Sequence, residues 1–304
     1  MHSKRSTLDY LLLLGVGMVW GGQFLFNAKA VEYFPPITVA AGRVLIGALT
    51  LSLLSLFIPE KTPEPSQRST ISIGLLFAGV AVLEAVLPLF LIVWGQQHVD
   101  SSVTAVLIGS VPILTLIFSA FLSKNSKFSI NSAMSVVLGF IGIVILVNPN
   151  TSGLNADTLI YEIAIFAGAV SFALSLILFE KLPHGTPIRT ARIILSVASV
   201  PLLVASLLLD KPWTLNWAIG GIVALMVLGI AGSALAYLLY ATLVQRTGPV
   251  FTSISNFIVP MVGVILGVLV RGEQFGTKEW LALACIIAAL AVNEIKTLIK
   301  PKLV

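Results

Sequence analysis

Charge is what this sequence has least of. Its 13 acidic and 18 basic residues make up 10% of 304, where an ordinary soluble domain carries about 25%. So thin a polar surface excludes a soluble globular protein and leaves an integral membrane protein. Cysteine is represented by Cys285 alone, which excludes an intramolecular disulfide and a thiol-rich metal site. The three histidines, His2, His98 and His184, lie outside the long apolar stretches or at their ends. No His-Glu-x-x-His, P-loop or paired-carboxylate motif appears, so the usual machinery of a membrane enzyme, of a resident metal and of an ATP-driven pump is missing. Nothing asks for a cofactor. The basic excess, formally +5, is scattered one or two residues per loop and forms no patch that would suit a nucleic acid.

What the chain has in abundance is apolar length: 57% of it is hydrophobic. About ten apolar segments can be marked off, at 8–28, 36–58, 71–95, 102–122, 131–148, 159–180, 189–209, 216–243, 249–270 and 278–298. Each is near the roughly 20 residues with which a helix crosses a hydrocarbon core about 30 Å thick. In lipid every backbone polar group needs a partner, and there is no alternating barrel pattern, so these segments are predicted to be helices embedded in a bilayer. The loops between them are short, which leaves little surface for a soluble partner and disfavours a scaffold. The basic opening MHSKRS and the apolar run after it have the outline of a signal peptide, but the run is too long for one.

Basic residues give the orientation. If ten spans alternate, Lys4, Arg5, Lys61, Arg68, Lys124 and Lys127 share a side with the basic residues around 181–192, Arg246 and the C-terminal lysines. The other side receives only Lys29, Lys211, Arg271 and Lys278. The positive-inside rule then puts both termini in the cytoplasm.

Sliding the sequence against itself by 148 positions aligns Gln97 with Gln245, Thr104 with Thr252, Pro112 with Pro260 and Ile117 with Ile265, so the fourth span returns as the ninth. The chain thus divides into two halves, 1–150 and 151–304, each with five spans. Five is odd, so the second half starts from the opposite face of the membrane and the repeats are inverted. That architecture belongs to secondary transporters, with a binding site at the repeat interface and alternating access by rocking of one bundle against another.

Three stretches carry a family resemblance. MVWGGQFLFNAKAVEYFPPITVAAGRVLIGALTL has a tryptophan-glycine pair, a lysine before the loop, a proline opening the second span and an arginine inside it. QQHVDSSVTAVLIGSVPILTLIFSAFL and QRTGPVFTSISNFIVPMVGVILGVLVRGE form the repeated pair. Together they resemble an EamA-type member of the drug/metabolite transporter superfamily, over essentially the whole chain. The resemblance implies an all-helical membrane fold of ten transmembrane helices in two inverted five-helix repeats. It places helices one to four and six to nine around a central cavity, with five and ten at the periphery. It also implies transport of amino acids and other small metabolites, often outward. One departure is visible: the glutamate that the family often places after the fourth and ninth helices is present as Glu273, but the first-half position holds Asn125.

A charge at mid-bilayer costs about 2.5–3.5 kcal/mol, so Glu84, the only charged residue between Ile71 and Gly95, marks a functional site by default. A carboxyl there suits proton exchange with the substrate or the binding of a substrate ammonium group, and it equally suits a purely structural hydrogen bond between helices. Arg43, in the second span, can take a substrate carboxylate, pair with Glu84 or snorkel to the outer interface. Trp20, Gln23 and Asn27 fall on one face of the first span, offering stacking and hydrogen bonds to a small solute. Tyr237 and Tyr240 add aromatic surface in the eighth span, as site residues or as packing. In the ninth span Asn256 shares a face with Thr252 and Pro260, and Gly263 and Gly267 on that face suit a close helix contact. Pro88, Pro112 and Pro260 each remove the hydrogen bond to the carbonyl four residues earlier, those of Glu84, Ile108 and Asn256, and are candidate hinges.

The sequence therefore points to a multi-pass secondary transporter of the plasma membrane. Its expected partners are a small-molecule substrate, the lipid bilayer and protons as a coupling ion. A nucleotide-sugar or phosphorylated-metabolite carrier of the same superfamily and a non-transporting membrane scaffold remain the alternatives.

Overall fold

The structure is a computed structural model. It describes residues 5–58, 69–96, 98–99, 101–122, 130–147, 158–183 and 185–271, and in the C-terminal stretch 276–277, 280–282, 284–289 and 292. The described residues form an all-helical bundle. Six helices are long and apolar enough to cross a membrane: Thr7–Val31, Pro36–Ser55, Thr70–Ile92, Leu159–Glu180, Pro187–Asp210 and Ile219–Thr247. Four shorter apolar helices, Val106–Leu122, Ile130–Ile145, Pro249–Val262 and Trp280–Ala289, fall at the other four predicted segments.

The first two helices are α1 (Thr7–Val31) and α2 (Pro36–Ser55). Asp9 in the first turn of α1 accepts the Ser6 N–H at 2.8 Å, which ties down the helix start. Pro36 opens α2 at a position where a missing N–H costs nothing.

The third segment is α3 (Thr70–Ala81), a π turn at Val82–Val86 and α4 (Leu87–Gln96). The fourth is split at Ser110 into α5 (Ser101–Gly109) and α6 (Val111–Leu122). α7 (Ile130–Val147) and α8 (Leu159–Glu180) come next. α9 (Pro187–Ala205) runs into a second π turn, Ser206–Asp210. The eighth segment is α10 (Ile219–Val227), a long π turn at Leu228–Leu235 and α11 (Ala236–Thr247). The ninth is split at Ile254 into α12 (Pro249–Ser253) and α13 (Ser255–Arg271).

Apolar surface faces outward as well as inward. Leu53, Leu75, Phe121, Leu269 and Trp280 are each more than 60% exposed, a pattern that requires lipid as solvent. The interior is closed by small residues at the helix crossings. On α1, a Cβ added to Gly17 would lie 2.4 Å from Ile258, and one added to Gly21 would lie 2.5 Å from Val262 and 2.8 Å from the Val259 carbonyl. The two glycines, four residues apart on one face, let α1 and α13 approach at backbone distance. α2 packs on α9, and α4 packs on α8. First-half helices are thereby interleaved with second-half ones.

At one end of the bundle Arg246 Nε donates to Asp9 Oδ1 at 2.6 Å and Arg246 Nη2 to Ser6 Oγ at 3.1 Å. The guanidinium of Arg5 lies 4.2 Å from the Phe251 ring centroid. These contacts fasten the start of α1 to α11 and α12.

Candidate functional site

Arg43 does not snorkel. Its guanidinium turns inward, where Nη2 donates to Gln23 Oε1 at 2.5 Å and to the Gly232 carbonyl at 3.1 Å. Nε reaches Ser233 Oγ at 3.2 Å, and Nη1 makes a long 3.5 Å contact with Asn27 Oδ1. The face shared by Gln23 and Asn27 on α1 is what brings both amides to one cation. The Gly232 carbonyl is available because the π turn skips it. In an α-helix the Ala236 N–H would bond Gly232, whereas here it goes to the Ala231 carbonyl. A Cβ on Gly232 would sit 3.1 Å from Gln23 Oε1 and 3.3 Å from Arg43 Nη2, so the absence of a side chain lets the socket close.

Glu84 lies inside the Val82–Val86 π turn and is 2% exposed. Ser175 of α8 donates its hydroxyl to Glu84 Oε2, and the Tyr240 phenol approaches the same carboxyl. Ser175 also has the Phe172 carbonyl at 2.7 Å. One hydroxyl proton is thus shared between two acceptors, and the charge of Glu84 decides which takes it. Against an ionised carboxylate Ser175 donates to Glu84. Against a protonated one it accepts from Glu84 and donates to Phe172.

The same backbone device recurs here. The Leu87 N–H, which in an α-helix would reach Leu83, bonds Val82 instead, and the Leu83 carbonyl accepts Ser171 Oγ at 2.8 Å. Pro88 comes directly after and has no N–H for the Glu84 carbonyl.

Between the two charged residues stands an aromatic group. The Trp20 ring lies 5.0 Å from Tyr240 and 6.2 Å from Tyr237, centroid to centroid, and Phe179 meets Tyr240 edge-on at 6.0 Å. Tyr237 interacts electrostatically with both Arg43 and Glu84, and among the described residues no ion pair joins Arg43 to Glu84. Their opposite charges are thus not joined directly, and Tyr237 feels both. An arginine-carboxylate contact would satisfy both groups internally; kept apart, each retains the capacity to meet an opposite charge on a solute.

Of the sequence candidates, Trp20, Gln23, Arg43, Glu84 and Tyr237 converge on this region, with Asn27 and Tyr240. Asn256 stands elsewhere: its amide donates to the Ser253 carbonyl at 3.0 Å, across the break at Ile254. On the matched faces Thr104, Thr115, Ser119 and Thr252 are buried.

The prolines differ in what surrounds them. Pro88 lies just past a π turn, and Pro112 is the second residue of α6, next to the break at Ser110. α13 runs through Pro260, with its interruption six residues earlier. Glu273 and Asn125 lie outside the described residues.

Sequence reasoning missed Ser171, Ser175, Gly232 and Ser233. The first two stand four apart on α8, and the others sit in the small-residue run LGIAGSAL. Both signals are also common in ordinary membrane-helix packing.

Comparisons with known proteins bear on the family and the fold. A model of the EamA-like transporter family matches residues 7–148 and 159–294. The chain is 27% identical over 283 residues to an uncharacterized inner membrane transporter, YedA, of Escherichia coli K12, covering 92% of this chain and 88% of YedA. It is 23% identical over 286 residues to the uncharacterized transporter YoaV of Bacillus subtilis, covering 92% and 94%. It is 23% identical over 298 residues to the protein PagO of Salmonella typhimurium, covering 94% and 92%. A solved crystal structure superposes with a TM-score of 0.77 over 97% of this chain and 100% of that one, at 16% identity, which speaks for the fold alone.

Proposed function

The chain belongs to the EamA-like transporter family, and from that premise we propose that it is a secondary transporter of amino acids or related small zwitterionic metabolites, working by alternating access. The observation that carries the reading is the separation of Arg43 and Glu84 by the Trp20, Tyr237 and Tyr240 rings. Such a site offers a guanidinium to a carboxylate, a carboxyl to an ammonium group and aromatic surface to what lies between. Both halves contribute, α1, α2 and the Glu84 turn from the first and α8 and α11 from the second. That composition suits a site at a repeat interface that is opened to either face in turn.

The fuller architecture belongs to the same proposal: ten spans in two inverted five-helix repeats, with both termini cytoplasmic. It is supported by the ten apolar helices, by the two family matches and by the distribution of lysine and arginine. The cytoplasmic membrane is supported by the name of YedA, an inner membrane transporter, and export is the direction that the family resemblance implies. No catalytic step and no cofactor enters, and protons are the coupling ion assigned to Glu84.

A phosphorylated-metabolite carrier would need more cations in the site. The guanidinium of Arg43 instead faces Gln23, Asn27, Ser233 and a backbone carbonyl.

The test is uptake and counterflow of a panel of amino acids and small metabolites in proteoliposomes at several pH values, comparing wild type with Glu84→Gln. Exchange of at least one zwitterion, with a pH dependence that Glu84→Gln abolishes, is the expected result. Counterflow of phosphorylated sugars alone would transfer the protein to the other substrate class. An absence of any counterflow would make it a scaffold.

A further inference from the structure

Two π turns interrupt this bundle beside the candidate site, and they occupy corresponding places. The shift of 148 positions that superposes the fourth span on the ninth carries Glu84 onto Gly232, the centre of one turn onto the interior of the other. In each, the carbonyl skipped by the backbone is taken by a side chain from another helix, Ser171 for Leu83 and Arg43 for Gly232. The partners differ in kind. Ser171 is a neutral hydroxyl, 2% exposed, and has no reason to leave. Arg43 is a cation standing in a site that would receive an anionic group.

We propose that the Leu228–Leu235 turn is a substrate-coupled hinge, held in its π form by the bond from Arg43 to the Gly232 carbonyl and released to α-helix when a carboxylate takes the guanidinium. The bond exchange balances. Arg43 Nη2 leaves the Gly232 oxygen for the carboxylate, and the Ala236 N–H leaves the Ala231 oxygen for the Gly232 oxygen. Each preceding N–H of the turn moves one acceptor forward in the same way, so that the Leu235 N–H takes up the Ala231 oxygen and the ordinary pairing four residues back is restored. The charge-assisted bond from the guanidinium draws the Gly232 carbonyl toward Arg43 and away from the line of the Ala236 N–H, which favours the π form without a carboxylate. A carboxylate is in turn the better partner for the guanidinium.

The local sequence makes the rearrangement cheap. LGIAGSAL contains two glycines, two alanines and a serine, so few side chains within the turn itself must be repacked, while the buried Tyr240, Ala241 and Leu243 of α11 move with the helix. Winding the extra residue of the turn into regular α-helix rotates α11 relative to α10 by about 100°. Tyr237 and Tyr240, immediately after the turn, would swing relative to Trp20. Occupation of Arg43 would thereby change the aromatic side of the candidate site and, through Tyr240, the surroundings of Glu84. The triggering carboxylate rests on the substrate reading above, but the hinge itself is testable without any transported solute.

The test uses the full chain in lipid with Cys285→Ser, which removes its single cysteine, and one cysteine pair on each side of the turn. Gly42→Cys with Leu225→Cys reports the side before it, where a Cβ on Gly42 would lie 3.3 Å from Leu225 Cγ. Gly15→Cys with Leu239→Cys reports the side after it, where a Cβ on Gly15 would lie 3.4 Å from Leu239 Cδ1. Disulfide geometry is strict enough for a turned helix to lose its cross-link.

With Arg43 in place the cross-linking rate of each pair sets its own reference. With Arg43→Met, or with acetate added as a bare carboxylate to the unaltered arginine, at least one pair should slow about tenfold or more. Deleting Ala231 removes the extra residue itself and leaves a continuous α-helix with α11 in its present orientation, so both pairs should then keep their rates whatever stands at 43. Arg43→Gln repeats the measurement if Arg43→Met does not insert. Rates for both pairs that stay within about twofold through the arginine substitution and the acetate titration would overturn the hinge. That outcome would leave the substrate reading intact, whereas failure of every amino acid in counterflow would remove the substrate reading and leave the hinge standing.

Discussion

Asp210 caps the helix that carries Arg43, and it does so through Thr38: a single carboxylate oxygen, Oδ2, accepts both the Thr38 N–H and the Thr38 hydroxyl, each at 2.8 Å. α2 needs this help because its own N-cap is Pro35, which has no side-chain oxygen to offer the first-turn amides. The cap comes from 172 residues away and joins the two halves. Asp210→Ala should lower stability in detergent by about 1–3 kcal/mol, and Asp210→Asn, which keeps one acceptor, by less. Equal unfolding temperatures for all three chains would show the contact to be idle.

The residue after Asp210 is in the opposite situation. Lys211 adopts φ 48° and ψ 64°, a left-handed conformation that costs an L-residue roughly 1 kcal/mol and glycine nothing. It is exposed, at the outer end by the charge-derived orientation. Lys211→Gly should therefore raise thermal stability by up to about 1 kcal/mol, despite the greater freedom of the unfolded chain. A drop would mean that the lysine side chain holds something that the backbone strain conceals.

The crossing of α1 and α13 gives a sharper contrast. Gly21→Ala would drive a methyl to 2.8 Å from the Val259 carbonyl, and backbone cannot move aside as a side-chain tip can. A loss of about 1–3 kcal/mol is expected, seen as a lower unfolding temperature. Gly74→Ala, where a Cβ would meet nothing within 4 Å, should be neutral or gain up to about 1 kcal/mol from helix propensity. Equal effects at the two sites would count against the close crossing.

Much of this was legible in the sequence, for physical reasons that differ by element. A helix in lipid needs length and apolarity, and both are visible in composition, so the segments could be marked without any contact information. Glu84 stood out because a charge at that depth is costly. Gln23 and Asn27 could be placed on one face from helical periodicity, but their common target, Arg43, depends on how α2 leans on α1, which no local pattern encodes. The π turns were illegible. Pro88 gave a hint beside one of them, while at Gly232 the bulge depends on which of two acceptors an amide selects, and that choice is made by a guanidinium on another helix. Asn256 shows a second limit, because a polar residue's place on a helix face does not say that one of its amide hydrogens goes to its own backbone.

Glu84 and Ser175 offer the clearest test of whether the buried carboxyl acts as a proton site. Glu84→Gln keeps shape and an acceptor for the Ser175 hydroxyl but has no titrating proton. It should fold normally and exchange solute at a rate independent of pH. Ser175→Ala removes the hydroxyl that changes its donor direction with the charge of Glu84, and should slow counterflow by about tenfold, which corresponds to about 1.4 kcal/mol. If the serine acts only through the carboxyl proton, the two substitutions will not add: Glu84→Gln with Ser175→Ala should be no slower than Glu84→Gln alone. Independent packing roles would instead multiply the two losses. Counterflow rates of the four chains at one pH therefore separate a proton-linked pair from two neighbours that merely fill space. Repeating the series across pH shows whether the pH dependence vanishes with the carboxyl, as coupling through Glu84 requires.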